Sequence, residues 1–560
     1  MFRGSYPRGA SAGILAQGMA DHTVSGERRR KLLAAERATE RLTLHGRHRI
    51  ALGFPNGYEI GMSNLGFQWV YRLFNRQADI ACERFFAEED GDRRGPRTLE
   101  RDVPLGEFPL VAFSVSWEMD YANLLRTLAA ARIPLGRAER GDGDPILLVG
   151  GDAARINPAP LTPWADVFAM GDGEKLVPLI ADVLRRGLSR EATLAALAEQ
   201  PGLYVPAVHG LRAEAAGEGK IVVQQFRAPE GATREPPHST FLTPYTELAD
   251  KLLIEVARGC SEMCRFCWAA YAMAPQVRIP AESVLEVARR LRALTSRVGL
   301  IATAVADHPE ILPILRGLAG LGYHIALSSV KIDAISGEIL SILTRQGERA
   351  LAIAPEAGNE RLRRAVNKKV SDEMLREKVR LIAASGITQL KLYLQIGLPG
   401  ETDEDVHDLV RLVNELREIL LAEGRARGRV GTLVPTVNCF IPKPHTPFEN
   451  EVLDDPENLV RKMKLLSEGF RKMPNVLFRG MPVVEAVWEA YLAKMGPEAG
   501  PILTEAAGGV PVRRLVREHR ETILSVVRPR RPADAEPLLP RGVFDPHARQ
   551  ASPWGFITKS

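Results

Sequence analysis

Cysteine is scarce in this sequence. The 560 residues hold five: Cys82, Cys260, Cys264, Cys267 and Cys439. A disulfide framework spreads its cysteines and pairs them, whereas three of these five crowd together between 260 and 267. That usage points to a reducing, cytoplasmic setting with one metal site. Long apolar runs are missing too. None approaches the ~18–20 residues that cross a bilayer, so no membrane partner is expected. Aromatic residues are 6% of the chain, which leaves no obvious stacking platform for bases. Charge lacks a dominant sign: 74 basic against 69 acidic side chains give a net +5. Nucleic acid, which calls for a clustered basic face, is not indicated. No repeat at a solenoid period is present.

What is there is ordinary globular material, 45% apolar and 26% charged, in a chain long enough for two or three domains. The first 25 residues carry Arg3, Arg8 and a short apolar patch, Ala12–Ala16, too short for the core of a signal peptide. They read as a leader, with Met1 and Met19 both open as the start. Residues 1–47 are polar and read as a mobile arm with a charged helical stretch, Glu27–Arg41. Residues 48–210 alternate strands with helices: His48–Phe54, Leu110–Ser116, Ile146–Val149 and Val167–Met170 as strands, Leu65–Asn75, Tyr121–Ala131 and Lys175–Arg185 as helices. Such alternation predicts a parallel, doubly wound sheet. Its glycines, Gly150-Gly151 and Gly171–Gly173, fall at the carboxyl ends of strands, where such sheets bind ligands. Residues 211–248 read as a linker with one short hairpin around Lys220–Gln225. Residues 249–450 repeat the rhythm six times, with strands at Lys251–Val256, Gly299–Val305, His324–Ser329, Ala350–Ala354, Gln389–Ile396 and Leu433–Phe440. This predicts a partial or full (β/α) barrel with its site at the carboxyl ends of the strands. Residues 451–560 read as a helical extension and an Arg- and Pro-rich tail.

The sequence Ile254–Trp268, IEVARGCSEMCRFCW, places Cys260, Cys264 and Cys267 in a C-x3-C-x2-C array after a strand. Four thiolates usually close an iron–sulfur cluster. Three on one short loop leave one iron without a protein ligand, and an open metal position is a reaction site. The alternative is a zinc site of three cysteines and one histidine. No histidine lies close by, His238 and His308 being the nearest, and the spacing departs from the paired C-x2–4-C pattern of zinc.

The array resembles that of the radical S-adenosylmethionine (radical SAM) superfamily, down to Phe266 before the third cysteine. The resemblance implies a [4Fe–4S] cluster on the three cysteines and S-adenosylmethionine on the open iron. The reduced cluster would then cleave the sulfonium to methionine and a 5′-deoxyadenosyl radical. A reduced electron donor such as flavodoxin or ferredoxin is implied as a partner. It implies that Phe266 packs near the adenine. Glu356, in Ala354–Gly358 (APEAG), would take part in cofactor binding, although an acid there also caps the next helix. Ile396 and Gly397, in Ile396–Glu401 (IGLPGE), would bring backbone to the adenine, a reading compatible with an ordinary capped loop. The family often has Gly-Gly-Glu for the amino group. Here Ala306–Glu310 reads ADHPE, and Asp307 is the nearest substitute. His308 is open between catalysis and a helix start. In Phe440–Phe448 (FIPKPHTPF), Lys443 and His445 either meet a polar substrate or are solvated side chains on a stiff closing loop. Cys439 reads as a core residue.

The first half narrows the branch. Phe54–Gly66, Phe113–Tyr121, Val149–Pro160 and Phe168–Glu174, together with the late Pro553–Ile557 (PWGFI), resemble radical SAM proteins with an amino-terminal cobalamin-binding-like domain, many of unassigned substrate. The implied fold is an α/β chain: a doubly wound Rossmann-like domain over 48–210, a partial (β/α)6 radical SAM barrel over 249–450 and a mostly helical C-terminal extension. The base-off signature Asp-x-His-x-x-Gly is absent. Either cobalamin binds without a histidine ligand, at Gly150 and Gly151 among others, or the domain serves substrate or assembly. The leading activity is hydrogen abstraction from an unactivated carbon, with cobalamin-dependent methylation as the follow-up. A methylthiotransferase-like modification of RNA or protein is the first alternative, against which stands the lack of three more cysteines. A non-enzymatic redox-sensing iron–sulfur protein is the second.

Overall fold

The computed structural model describes residues 24–87, 94–210, 221–226, 234–328, 330–529 and 557–559. A two-residue strand, β1 (Arg37–Ala38), precedes the first sheet, whose strands are β2 (His48–Phe54), β3 (Ile80–Phe86), β4 (Leu110–Ser114), β5 (Ile146–Gly150), β6 (Val167–Ala169) and β7 (Leu203–Tyr204). Their order is β3-β2-β4-β5-β6-β7, parallel throughout except for β7. The order reverses between β2 and β4, so the crevice for a ligand opens beyond their carboxyl ends. The period-2 alternation of strand side chains separates two cores. Ile50, Leu52, Leu110 and Leu148 join helices Leu65–Asn75 and Gly173–Arg185 on one face. Val111, Phe113, Leu147 and Val149 join helix Tyr121–Ala130 on the other. Helices on both faces are what the near-continuous apolar runs required.

The arm expected over 1–47 is docked wherever it is described. Helix Val24–Ala35 leads into β1, which pairs antiparallel with β9 (Phe241–Leu242). Glu36 forms an ion pair of 2.7 Å with the fully buried Arg84, and Glu40 reaches Arg72 at 3.2 Å. Docking combines Leu32, which joins the core, with carboxylates that answer buried arginines, Arg84 on β3 and Arg72 on helix Leu65–Asn75. Residues 1–23 lie outside the described part. Of the hairpin expected around Lys220–Gln225, Lys220 lies outside the described residues; the described part holds the strand β8 (Ile221–Val223), paired in parallel with β19 (Ile557–Lys559).

The second domain carries six parallel strands in chain order: β10 (Leu252–Glu255), then β13 (Arg297–Ile301), β14 (His324–Leu327), β15 (Ala350–Glu356), β16 (Gln389–Ile396) and β17 (Thr432–Cys439). A short β18 (Arg479–Gly480) follows. The ladder runs β10-β13-β14 and β15-β16-β17-β18, and a bond from Val330 N to Ala352 O, 2.9 Å, joins the halves. The outer side chains of β15 and β16, such as Ile353, Leu392 and Leu394, are buried under helices Asp372–Ser385 and Asp403–Ala426. Those turned inward, among them Ala352, Lys391, Tyr393 and Gln395, are half-buried. Between β10 and β13, β11 (Ala257–Arg258) and β12 (Val277–Arg278) form an antiparallel ribbon that pinches off residues 259–276. Helices Pro456–Arg471, Val483–Lys494, Gly500–Ala507, Val512–Glu518 and Arg520–Val527 form the C-terminal extension.

Candidate active site

The cysteine loop starts at Gly259, φ +82°, where an added Cβ would lie 2.5 Å from the carbonyl oxygen of Met273. Only glycine fits this left-handed, closely approached position. All three thiols are free; Cys260 and Cys264 are buried and Cys267 is half-buried. Burial pushes the Cys264 thiol up to about 12, with Lys368 acting against the rise and Glu356 adding to it. Burial likewise raises Cys260, which feels Cys267 and Asp307. The three thiols are therefore close enough to act on one another. Among the described residues no three His, Cys, Asp or Glu side chains surround one point as a single ion would require. The two nearest histidines are engaged elsewhere. His238 bonds Arg72 and the carbonyl of Pro236, and His308 bonds the carbonyl of Ile279 and the amide of Glu310. The donor set, three soft sulfurs on one loop and no fourth ligand, fits an iron–sulfur cluster with an open iron.

The segment after helix Glu360–Ala365 clamps this loop. Val366 O accepts from Arg265 N at 3.0 Å, and Asn367, φ +59°, donates to Met263 O at 2.9 Å. Lys368 stands 3.3 Å from Glu356. Burial would lower the Lys368 ammonium, but Glu356 and Cys264 outweigh it and hold the group raised. Glu356 itself ends β15 at φ +70°, beside a register shift against β16, and its other oxygen accepts from Gln395 at 2.9 Å. A non-glycine residue held at positive φ marks a constrained site. Sequence reading passed over Asn367 and Lys368; their only signal was the polar run NKK just past a helix.

Asp307 follows β13 with one oxygen 3.5 Å from Lys331, which also holds Glu262 at 2.6 Å and Asp333 at 3.0 Å. Its other oxygen is buried without a partner among the described residues, and burial raises the carboxyl despite Lys331. Phe266 packs against a cluster to which the APEAG, IGLPGE and FIPKPHTPF segments contribute Ala357, Leu398, Phe440 and Phe448. Ile396 is fully buried, and its carbonyl accepts from Phe440 N at 2.8 Å. Gly397, φ +75°, donates to Glu401 at 2.8 Å; a Cβ there would press on Leu459 at 2.8 Å. His308, bonded to the loop before helix Ala281–Leu291 and to its own turn, sits where a helix-start residue does. Lys443 and His445 are not solvated. Lys443 pairs with Glu118 at 2.5 Å and Glu489 at 3.0 Å, and His445 Nε2 donates to Ile156 O at 3.0 Å. Cys439 is buried in the core and Cys82 lies buried on β3.

The carboxyl edge of the first sheet faces this loop. Ile156, past β5, packs on Trp268 and Ala269, and Asp172, past β6, binds Arg258 at 3.0 Å. At Gly151, φ +100°, a Cβ would meet the carbonyl of Val115 at 2.4 Å, whereas at Gly150 it would make ordinary contact.

The family described as "Radical SAM superfamily" matches residues 254–413, and "Radical SAM proteins, N-terminal" matches residues 66–206. An uncharacterized protein of Methanocaldococcus jannaschii is 24% identical over 76% of this chain and 83% of its own length. The ribosomal protein uS12 methylthiotransferase RimO of Anaeromyxobacter sp. is 28% identical over 29% of this chain and 38% of its own length. Among solved structures, the radical S-adenosylmethionine methyltransferase TsrM from Kitasatospora setae, with cobalamin and a [4Fe–4S] cluster bound, is 14% identical. It matches 85% of this chain and 99% of that chain with a TM-score of 0.51, a likeness of fold.

Proposed function

This chain belongs to the radical SAM superfamily, and on that premise we propose that it is an enzyme that functionalises an unactivated carbon, with cobalamin-dependent methylation as the reaction. The observation that carries the reading is the linkage of the cysteine loop to Asp307 and Glu356: Glu262 shares Lys331 with Asp307, and Asn367, which holds Met263, precedes the Lys368 that pairs with Glu356. When bound, the cluster supplies an electron and S-adenosylmethionine the 5′-deoxyadenosyl radical that abstracts hydrogen. Cys260, Cys264 and Cys267 hold the cluster. The unpartnered oxygen of Asp307 accepts from the amino group of the methionine moiety. Glu356, held by Gln395 and Lys368, keeps lone pairs for a ribose hydroxyl. Phe266 walls off the adenine from water. The carboxyl edge of the first sheet, next to Trp268, presents cobalamin towards the barrel.

The N-terminal half carries one cysteine, Cys82, buried on β3, an edge strand of its sheet. A second cluster of the methylthiotransferase kind has no ligands there, which favours the methylation reading. We place the protein in the cytoplasm with a low-potential electron donor. Among the described residues no helix is long and apolar enough to cross a membrane. The test is anaerobic reconstitution followed by iron, sulfide and cobalt analysis and an assay for 5′-deoxyadenosine. A brown protein with cobalt uptake and deoxyadenosine is expected. A colourless, zinc-loaded protein overturns the cluster reading. Deoxyadenosine formed without any cobalamin uptake overturns the methylation reading alone.

A further inference from the structure

The junction of the first sheet with the cysteine loop holds an imbalance of hydrogen-bonding groups. Helix Asp152–Ile156 leaves β5 and lays Ile156 on Trp268, the residue after Cys267. Arg155, 5% exposed, donates through Nη1 to Asp172 at 3.2 Å. Its guanidinium carbon stands 5.8 Å from the centroid of the Trp268 ring. Among the described residues, Nε and Nη2 of Arg155 have no hydrogen-bond partner, and neither has Nε1 of Trp268, 3% exposed. Buried polar groups are paired almost without exception, and an N–H taken from water without a partner loses its full hydration. The cation–π contact uses the face of the indole and leaves its N–H unanswered. Nearby protein acceptors are already taken: Asp172 Oδ2 by Arg258 at 3.0 Å and Phe226 N at 2.8 Å, and Ile156 O by His445 at 3.0 Å. Three buried donors on two touching side chains, at the edge where such a sheet binds ligands, call for acceptors from outside the protein.

We propose that Arg155 and Trp268 form a donor subsite for the peripheral carboxamide oxygens of a cobalamin held between the sheet and the cysteine loop. This rests on the reading that the sheet carries cobalamin. The N–H groups donate to neutral amide carbonyls, and the charge of Arg155, balanced by Asp172, strengthens that bond. The site also places the ligand one residue from the third cluster cysteine.

The test titrates hydroxocobalamin into the anaerobically reconstituted full chain, in wild type, Trp268→Phe and Arg155→Lys, and measures iron in each. Phenylalanine keeps an aromatic ring and removes the N–H; lysine keeps the charge beside Asp172 and removes Nε. Each variant should bind hydroxocobalamin about tenfold more weakly, the scale of one good hydrogen bond, with the iron content of wild type. Wild-type affinity in both variants overturns the subsite. A loss of affinity that comes only with a loss of iron also overturns it, since the effect then runs through the loop. A wild type that takes up no cobalamin overturns the reading of the first sheet, and the subsite falls with it. Binding by wild type tests the reading, and the ratio of variant to wild type tests the subsite.

Discussion

At the scale of single residues, the three cysteines on their loop and Glu356 at the end of β15 allow the two proposed binding roles of the site to be tested separately. Replacing Cys260, Cys264 and Cys267 together with Ala should remove all of the roughly four irons expected per chain. The fold should persist, because the β11–β12 ribbon pins both ends of the loop without metal. Iron analysis with circular dichroism reads both outcomes. Glu356→Ala acts differently. It removes the partner of Lys368 and Gln395 but leaves every cysteine in place. Binding of S-adenosylmethionine, followed by equilibrium dialysis, should weaken about tenfold or more, the loss of one or two charge-assisted bonds. Iron content should hold. Normal cofactor binding in this variant would leave Glu356 with no role beyond holding the strand end.

At the scale of elements, the loop depends on backbone that only certain residues allow. Gly259→Ala meets both a positive φ and a carbonyl at 2.5 Å. It should cost about 1–3 kcal/mol locally and lower iron occupancy more than it lowers the melting midpoint. Asn367→Ala removes the side-chain tether to Met263 O and should do the same more mildly, about 1 kcal/mol. Such elements divide sharply in how far the sequence disclosed them. β2, β16 and helix Leu65–Asn75 fall where periodicity put them, because each is buried on the expected face. β3 was missed because Glu83 and Arg84 interrupt its apolar run, yet both are buried, Glu83 bonded to Thr98 and Arg101 and Arg84 to Glu36 and Glu100. The docked arm was missed for the same reason: a polar segment looks free until its ion-pair partners, far away in the chain, are known. The cysteine array could be read from the sequence because its three members lie close together on one short loop. The clamp by Asn367 and the placing of Trp268 against Arg155 were not, since both arise from contacts across more than 100 residues.

At the scale of the whole molecule, one buried cation ties three parts together. Glu118 lies past β4 on the first domain, Lys443 on the loop beyond β17, and Glu489 on helix Val483–Lys494. The three side chains are 2%, 6% and 1% exposed, with Lys443 bonded to both carboxylates. Asn157 donates to Met495 O at 2.7 Å and His445 to Ile156 O at 3.0 Å across the same junction. Lys443 is thus the charged centre of a junction that these bonds also hold between the first sheet and the barrel. Lys443→Met keeps the volume and removes the charge, which leaves two buried carboxylates without their shared cation. Breaking a buried pair in this way costs about 3–5 kcal/mol, well above the worth of a surface bridge. Glu118→Gln should cost less, because Glu489 still answers the lysine and the amide still accepts a hydrogen bond. Denaturant unfolding of the metal-free chain should therefore rank Lys443→Met well below Glu118→Gln, with the latter nearer wild type. A Lys443→Met variant within about 1 kcal/mol of wild type, as for an exposed bridge, would mean that the triad is open to water in solution. The junction of the first sheet with the barrel would then rest on its other contacts, Asn157 with Met495, His445 with Ile156 and Asp172 with Arg258.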